Sequence, residues 1–140
     1  MLDALDLDEF TSAYIIAALW TSNDESDESG GEPLDANYDE SDIAPETMET
    51  IRQECAAFLE SAKGLINDET CLRSNQWLGD GTYTAHALAG HDFWLTRCAH
   101  GCGFWESDRW TEKAGEKLTA LSAIAGEVWL YLGDDGQIYQ

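Results

Sequence analysis

Residues 92–106 read Asp92-Phe93-Trp94-Leu95-Thr96-Arg97-Cys98-Ala99-His100-Gly101-Cys102-Gly103-Phe104-Trp105-Glu106. Phe93, Leu95 and Arg97 alternate with Trp94 and Thr96, the period of a half-buried strand. Gly101 and Gly103 then mark a reversal into Gly103-Phe104-Trp105-Glu106, so the segment is expected to form a β-hairpin. If this stretch is a hairpin, the fold mixes sheet with the helices that the flanking residues specify.

Upstream, Thr82 to Ala89 is expected to be a short helix ended by Gly90. Further back, Pro45 suits a first helical turn, Glu46 and Glu49 favour its positive end, and Met48, Ile51, Cys55, Phe58 and Ala62 form one stripe. Phe10, Ala13, Tyr14, Ala17 and Trp20 recur at three- and four-residue steps, predicting an amphipathic helix from about Asp8 to Trp20. Downstream, Ala114, Leu118, Leu121 and Ala125 make another stripe that stops at Gly126. Val128 to Leu132 alternates as a strand, and Gly133-Asp134-Asp135-Gly136 turns it into Gln137-Ile138-Tyr139. The expectation is a single α+β domain over 1–140, with three or four helices packed on a small antiparallel sheet that contains a C-terminal hairpin.

Charge is distributed very unevenly. The chain has 140 residues and a formal net charge of −21, from 28 acidic and 7 basic side chains. Residues 1–51 carry 15 Asp or Glu and no Lys, Arg or His. Such a chain repels phosphate backbones and anionic bilayers, which argues against direct nucleic-acid or membrane binding. No apolar stretch approaches the roughly 20 residues that a spanning helix requires. The N-terminal residues carry Asp3, Asp6, Asp8 and Glu9 without a cation, the opposite of a secretion signal, so Cys55, Cys71, Cys98 and Cys102 are expected to be reduced thiols. Between about 23 and 43 the run is acidic, with Gly30, Gly31 and Pro33 and little apolar content, and reads as a mobile or surface-draped acidic loop that cannot pack a core.

His91, Cys98, His100 and Cys102 are the donors that a zinc site would use, if any exists. Single residues separate Cys98, His100 and Cys102, unlike the two to four found between cysteines of common zinc knuckles, so no metal or other cofactor is expected. A Cys/His nucleophile with Asp92 or Glu106 orienting the imidazole lacks any local oxyanion hole, and no catalytic residue is assigned. The His91-Asp92 and Asp134-Asp135 pairs read as local hydrogen-bonding features before they read as hydrolase ligands. The acidic run fits no calcium-loop pattern. Trp94, Trp105, Trp110, Trp129, Tyr131 and Tyr139 crowd the sheet region, where those left outside the core would serve as interface anchors.

The stretch Ala89-Gly90-His91-Asp92-Phe93-Trp94-Leu95-Thr96-Arg97, followed by His100-Gly101 and Gly103-Phe104-Trp105, resembles a family of small acidic proteins of tailed phages and prophages. Ala18-Leu19-Trp20, Glu32 to Tyr38, Asp42 to Thr47 and the terminal Gly133-Asp134-Asp135-Gly136 with Ile138-Tyr139 look like the same family. Here Cys98-Ala99 stands where the family pattern has Asn-Gly, and Glu106 where it has Asp. The resemblance implies an accessory product acting in the cytoplasm of an infected bacterium. Combined with the charge, it leads to an expected role as a binding protein that inhibits a host protein with a basic nucleic-acid-binding groove, such as a defence or polymerase complex. In that reading Asp24, Glu25, Asp27, Glu28, Asp35, Asp39, Glu40 and Asp42 carry the electrostatics, and Trp94 and Trp105 supply the aromatic contacts. The alternative is a small metal-dependent or Cys/His enzyme centred on the hairpin at 91–106.

Overall fold

The computed structural model describes residues 8–24, 32–77, 81–98, 103–105 and 108–140. Four α-helices, α1 (Glu9–Thr21), α2 (Pro45–Ser61), α3 (Ala85–Arg97) and α4 (Glu112–Ala125), surround an aromatic core. Two short antiparallel ladders complete an α+β domain. β1 (Asn23–Asp24) pairs with β2 (Glu32–Pro33), and β3 (Tyr131–Leu132) pairs with β4 (Ile138–Tyr139) to give the C-terminal hairpin.

The caps explain where the helices start. Asp8 accepts a hydrogen bond from Thr11 N, Thr84 from Ala87 N and Thr111 from Ala114 N, each satisfying a first-turn donor. Pro45 opens α2, as its stripe predicts, and Ile51, Cys55 and Phe58 point inward. α4 ends at Gly126, whose φ of 87° suits a residue without Cβ. Phe58 of α2 stacks on Phe93 of α3 at 4.0 Å, and Phe10, Phe104 and Trp110 extend the cluster to α1 and the loop before α4.

The expected strand from 92 and the hairpin through 106 do not form. Residues 85–97 are one continuous helix, and it does not stop at Gly90. α3 is the central element: Ala85, Leu88, Ala89, Gly90, Asp92, Phe93, Trp94, Leu95 and Arg97 are all buried. A helix covered on most sides needs apolar residues all round, so its stripe broadens until a short window mimics the alternation of a strand. Gly90 is a contact point. A Cβ there would lie 2.0 Å from the Phe10 carbonyl oxygen, so the missing side chain lets α1 and α3 pack backbone to backbone. Residues 99–102 and 106–107 of the expected hairpin lie outside the described residues.

At the C-terminus the expected alternation holds from residue 128. Val128 and Leu130 are buried while Trp129 and Tyr131 are exposed, although ladder pairing is confined to 131–132 with 138–139. The hairpin is tied to the start of α2 by an Ala44 N to Ile138 O bond of 2.9 Å.

Candidate functional site

The acidic segment holds to the body of the protein at three places. β1 pairs its start with β2 near its middle, its own Leu34 is wholly buried, and Leu34 N donates to Ser22 O at 2.8 Å. The expectation that this stretch contributes nothing to the core is therefore corrected at Leu34. Two short 3-10 turns follow, Leu34–Ala36 and Glu40–Asp42. In the second, Asp39 accepts from Ser41 N at 2.9 Å and Asp42 Oδ2 accepts from Asp39 N at 2.9 Å, a reciprocal cap. The Ser41 hydroxyl and backbone bonds hold the Asp39 carboxyl below its ordinary range. Asp39 and Asp42 thus shape the turn, while Asp35 is exposed and Glu40 half-exposed. Asp24 lies in β1, and Glu25, Asp27 and Glu28 fall outside the described residues.

The two tryptophans assigned to binding separate. Trp94 is only 1% exposed, with its ring edge on Tyr14 at 5.4 Å and its Nε1 donating to Thr21 Oγ1 at 2.6 Å, so it belongs to the core and not to a contact surface. Trp105 is 49% exposed and keeps its place. Trp20, Trp77 and Trp129 are exposed as well, including Trp20, which the stripe of α1 had placed inward.

Of the four candidate metal donors, His100 and Cys102 lie outside the described residues. His91 and Cys98 are separated by seven positions along and just past α3, about 10 Å of helix axis. Zinc ligands sit only about 2.0–2.3 Å from the ion, so these two do not share one. Among the described residues no group of three His, Cys, Asp or Glu side chains is placed to hold a metal. Cys55 and Cys71 are buried free thiols, and burial pushes the Cys55 thiol up to about 12.

His91 and Asp92 take part in a different arrangement. Asp92 is completely buried, with Oδ2 accepting from Trp110 Nε1 at 2.7 Å and Oδ1 3.0 Å from both Arg109 Nη2 and His91 Nδ1. Arg109 Nη2 also lies 3.2 Å from His91 Nδ1, a nitrogen that donates to Asp92 in one tautomer and accepts from Arg109 in the other. Backbone bonds from Leu72 N to Arg109 O (2.7 Å) and from Thr111 N to Thr70 O (2.9 Å) strap the 70–73 segment to 109–111. That strap brings Arg73 beside Asp108, where Nη2 and Oδ2 are 3.2 Å apart.

Of these residues, Arg73, His91, Asp108 and Arg109 form a polar part of the lining of a cleft of about 600 Å³ between α1 and α3. Its apolar wall is made by Ile16, Ala17 and Trp20 from α1 and Leu88 from α3. No motif marks Arg73 or Arg109 in the sequence, and Trp20 stood out there only as a member of the α1 stripe and of the family-like stretch Ala18-Leu19-Trp20. The usable signal was scarcity, since only 7 basic side chains stand in the whole sequence.

A third buried cluster is structural. Arg97 donates from Nε to Gly126 O (3.0 Å), from Nη1 to Tyr14 Oη (2.9 Å) and Glu54 Oε1 (3.0 Å), and from Nη2 to Ala125 O (3.2 Å). Burial pulls the Arg97 pKa down, but Tyr14 and Glu54 outweigh it and hold the pKa above its ordinary value.

No helix among the described residues is long and apolar enough to cross a membrane. No protein-family model matches the chain, and neither a curated protein nor a solved structure matches it.

Proposed function

We propose that this chain is a phage-encoded accessory protein that acts by binding. It occupies the basic nucleic-acid groove of a host defence or polymerase complex in the bacterial cytoplasm, in the manner of anti-CRISPR or anti-restriction proteins. The observation that carries the reading is the run of 15 carboxylates, without one compensating cation, in residues 1–51. Part of that run is fastened to the fold through β1, β2, Leu34 and the Asp39–Asp42 cap. Carboxylates on a held backbone lose less freedom on binding than those on a free tail, and so are suited to imitate a phosphate backbone. Exposed tryptophans such as Trp105 supply anchoring area of the kind that dominates interface energetics. The resemblance to small phage and prophage proteins sets the biological context.

The test is displacement of fluorescent DNA from purified basic-groove proteins, among them a CRISPR effector complex and a restriction endonuclease. The comparison is with an Asp24→Asn, Asp35→Asn, Glu40→Gln variant, which leaves the Asp39–Asp42 cap intact. Each rim charge contributes about 0.3–1 kcal/mol, so the triple variant is expected to bind about tenfold more weakly, chiefly through the on-rate. Wild-type binding should fall steeply as salt rises from about 50 to about 500 mM and the screening length shrinks from roughly 14 to roughly 4 Å. Equal affinities and equal salt slopes for the two proteins would remove the acidic segment as the binding surface.

A further inference from the structure

Of the 7 lysines and arginines in this strongly anionic chain, two line one cleft together with His91. Both are only partly used. Arg109 spends Nη2 on Asp92 and His91, whereas its Nη1 has no partner among the described residues and its Nε is buried without an acceptor. Arg73 spends Nε and Nη2 on Asp108 and leaves Nη1 over. The Arg109 and Arg73 side chains are 26% and 43% exposed, and of their spare donors only Arg109 Nε is closed off from solvent. Next to them the wall is apolar, and Ile16 and Trp20 are each 57% exposed.

A concave apolar wall closed by a few convergent polar groups is the usual form of a small-molecule site, and about 600 Å³ falls within its usual size. The polar end selects the occupant through its spare hydrogen-bond donors. Arginine donors with spare capacity match the planar fork of a carboxylate. Asp108 offsets the charge of Arg73 and buried Asp92 that of Arg109, and Asp35 adds a further carboxylate, so the end offers spare donors without net positive charge and a second negative charge on the ligand would be repelled. Trp20 is part of the lining, and an indole there favours an aromatic body.

We infer that the cleft between α1 and α3 binds a small aromatic monocarboxylate, with its carboxylate at Arg109 and Arg73 and its ring against Trp20 and Ile16. The site differs from the protein-binding reading in relying on cations of the chain, with Asp35 the one residue common to both.

The experiment is an NMR titration of the ¹⁵N-labelled full chain with 2-naphthoate and, in parallel, with the uncharged 2-naphthamide. Saturable shifts are expected at amides of 13–20 and 83–91 and at the Arg109 side chain. The amide and an Arg73→Gln variant should each weaken binding by about tenfold, the scale of one charge-assisted hydrogen bond. Arg109 also supports buried Asp92, so the second variant is Ile16→Asp, at an exposed wall position where folding is preserved and a carboxylate is placed in the ligand's path. That variant should abolish the shifts. Equal affinity for acid and amide, unchanged binding by Ile16→Asp, or no saturable shift up to about 10 mM would each overturn the inference.

Discussion

Arg97 shows how one side chain closes several parts of the chain at once. Its guanidinium reaches α1 through Tyr14, α2 through Glu54 and the end of α4 through the Ala125 and Gly126 carbonyls, and it lies 5.3 Å from the Phe93 ring. Gln140 joins the same cluster through Tyr14 and Glu54. Replacing Arg97 with Met would leave the two carbonyls, the phenol and a half-buried carboxylate without their donor. Breaking a buried pair from one side costs about 3–5 kcal/mol, and urea unfolding of Arg97→Met should show a loss of that order. Arg97→Lys keeps the charge but not the fork, and should recover only part of it. A midpoint within about 1 kcal/mol of wild type for Arg97→Met would mean that the network is not stabilising.

At the scale of elements, the α1–α3 contact depends on an absent side chain. Gly90→Ala would drive a Cβ to 2.0 Å from Phe10 O, a backbone atom that can yield only if α1 moves. Overpacking of this kind should cost about 3 kcal/mol or more, read as a lower thermal midpoint. Gly126→Ala meets open space but a φ of 87°, and should cost only about 1 kcal/mol. The C-terminal hairpin makes a pH-dependent prediction. Tyr139 Oη donates to Asp135 Oδ2 at 2.5 Å, which pushes the tyrosine up to about 12 and pulls the aspartate down. Because the phenol is held protonated, its contribution is complete below its unfolded value of about 10 and is lost as pH rises through about 12. The Asp135 contribution runs the other way, present above its unfolded value and lost as pH falls through its lowered one. A ring-resonance titration should place Tyr139 near 12, and Asp135→Asn should return it toward about 10.

For the whole molecule, a net charge of −21 sets a repulsion that folding must overcome. Added sodium chloride should therefore raise the thermal midpoint progressively as screening shortens. The Asp24→Asn, Asp35→Asn, Glu40→Gln variant should melt at the same temperature as wild type or slightly higher, with a smaller salt response. A midpoint that falls with salt would indicate that specific ion pairs, such as Arg97–Glu54 at 3.0 Å, outweigh the general repulsion.

α2, α4 and the last turn were legible because each carries its own local instruction: an apolar stripe of one clear period, Pro45 or a glycine at the exit. α1 was found as a helix but with its face misplaced, since Ile15, Ala18 and Leu19 are buried and Trp20 is exposed. α3 was not legible, because its surroundings and not its own sequence decide its character. Covered by α1 and by the loop leading to α4, it loses the polar face that makes a helix recognisable. The same cause hid the sites. Trp94 and Trp105 are identical in composition terms, yet one is core and the other surface. Residues 70–73 and 108–111 meet only because backbone bonds join segments far apart in the chain. Net charge, its concentration in the first 51 residues and the positions of three helices are properties of the sequence itself, because they depend on nearby residues alone. The buried Asp92 cluster and the cleft beside it arise from contacts between distant segments, so only the tertiary structure could place them.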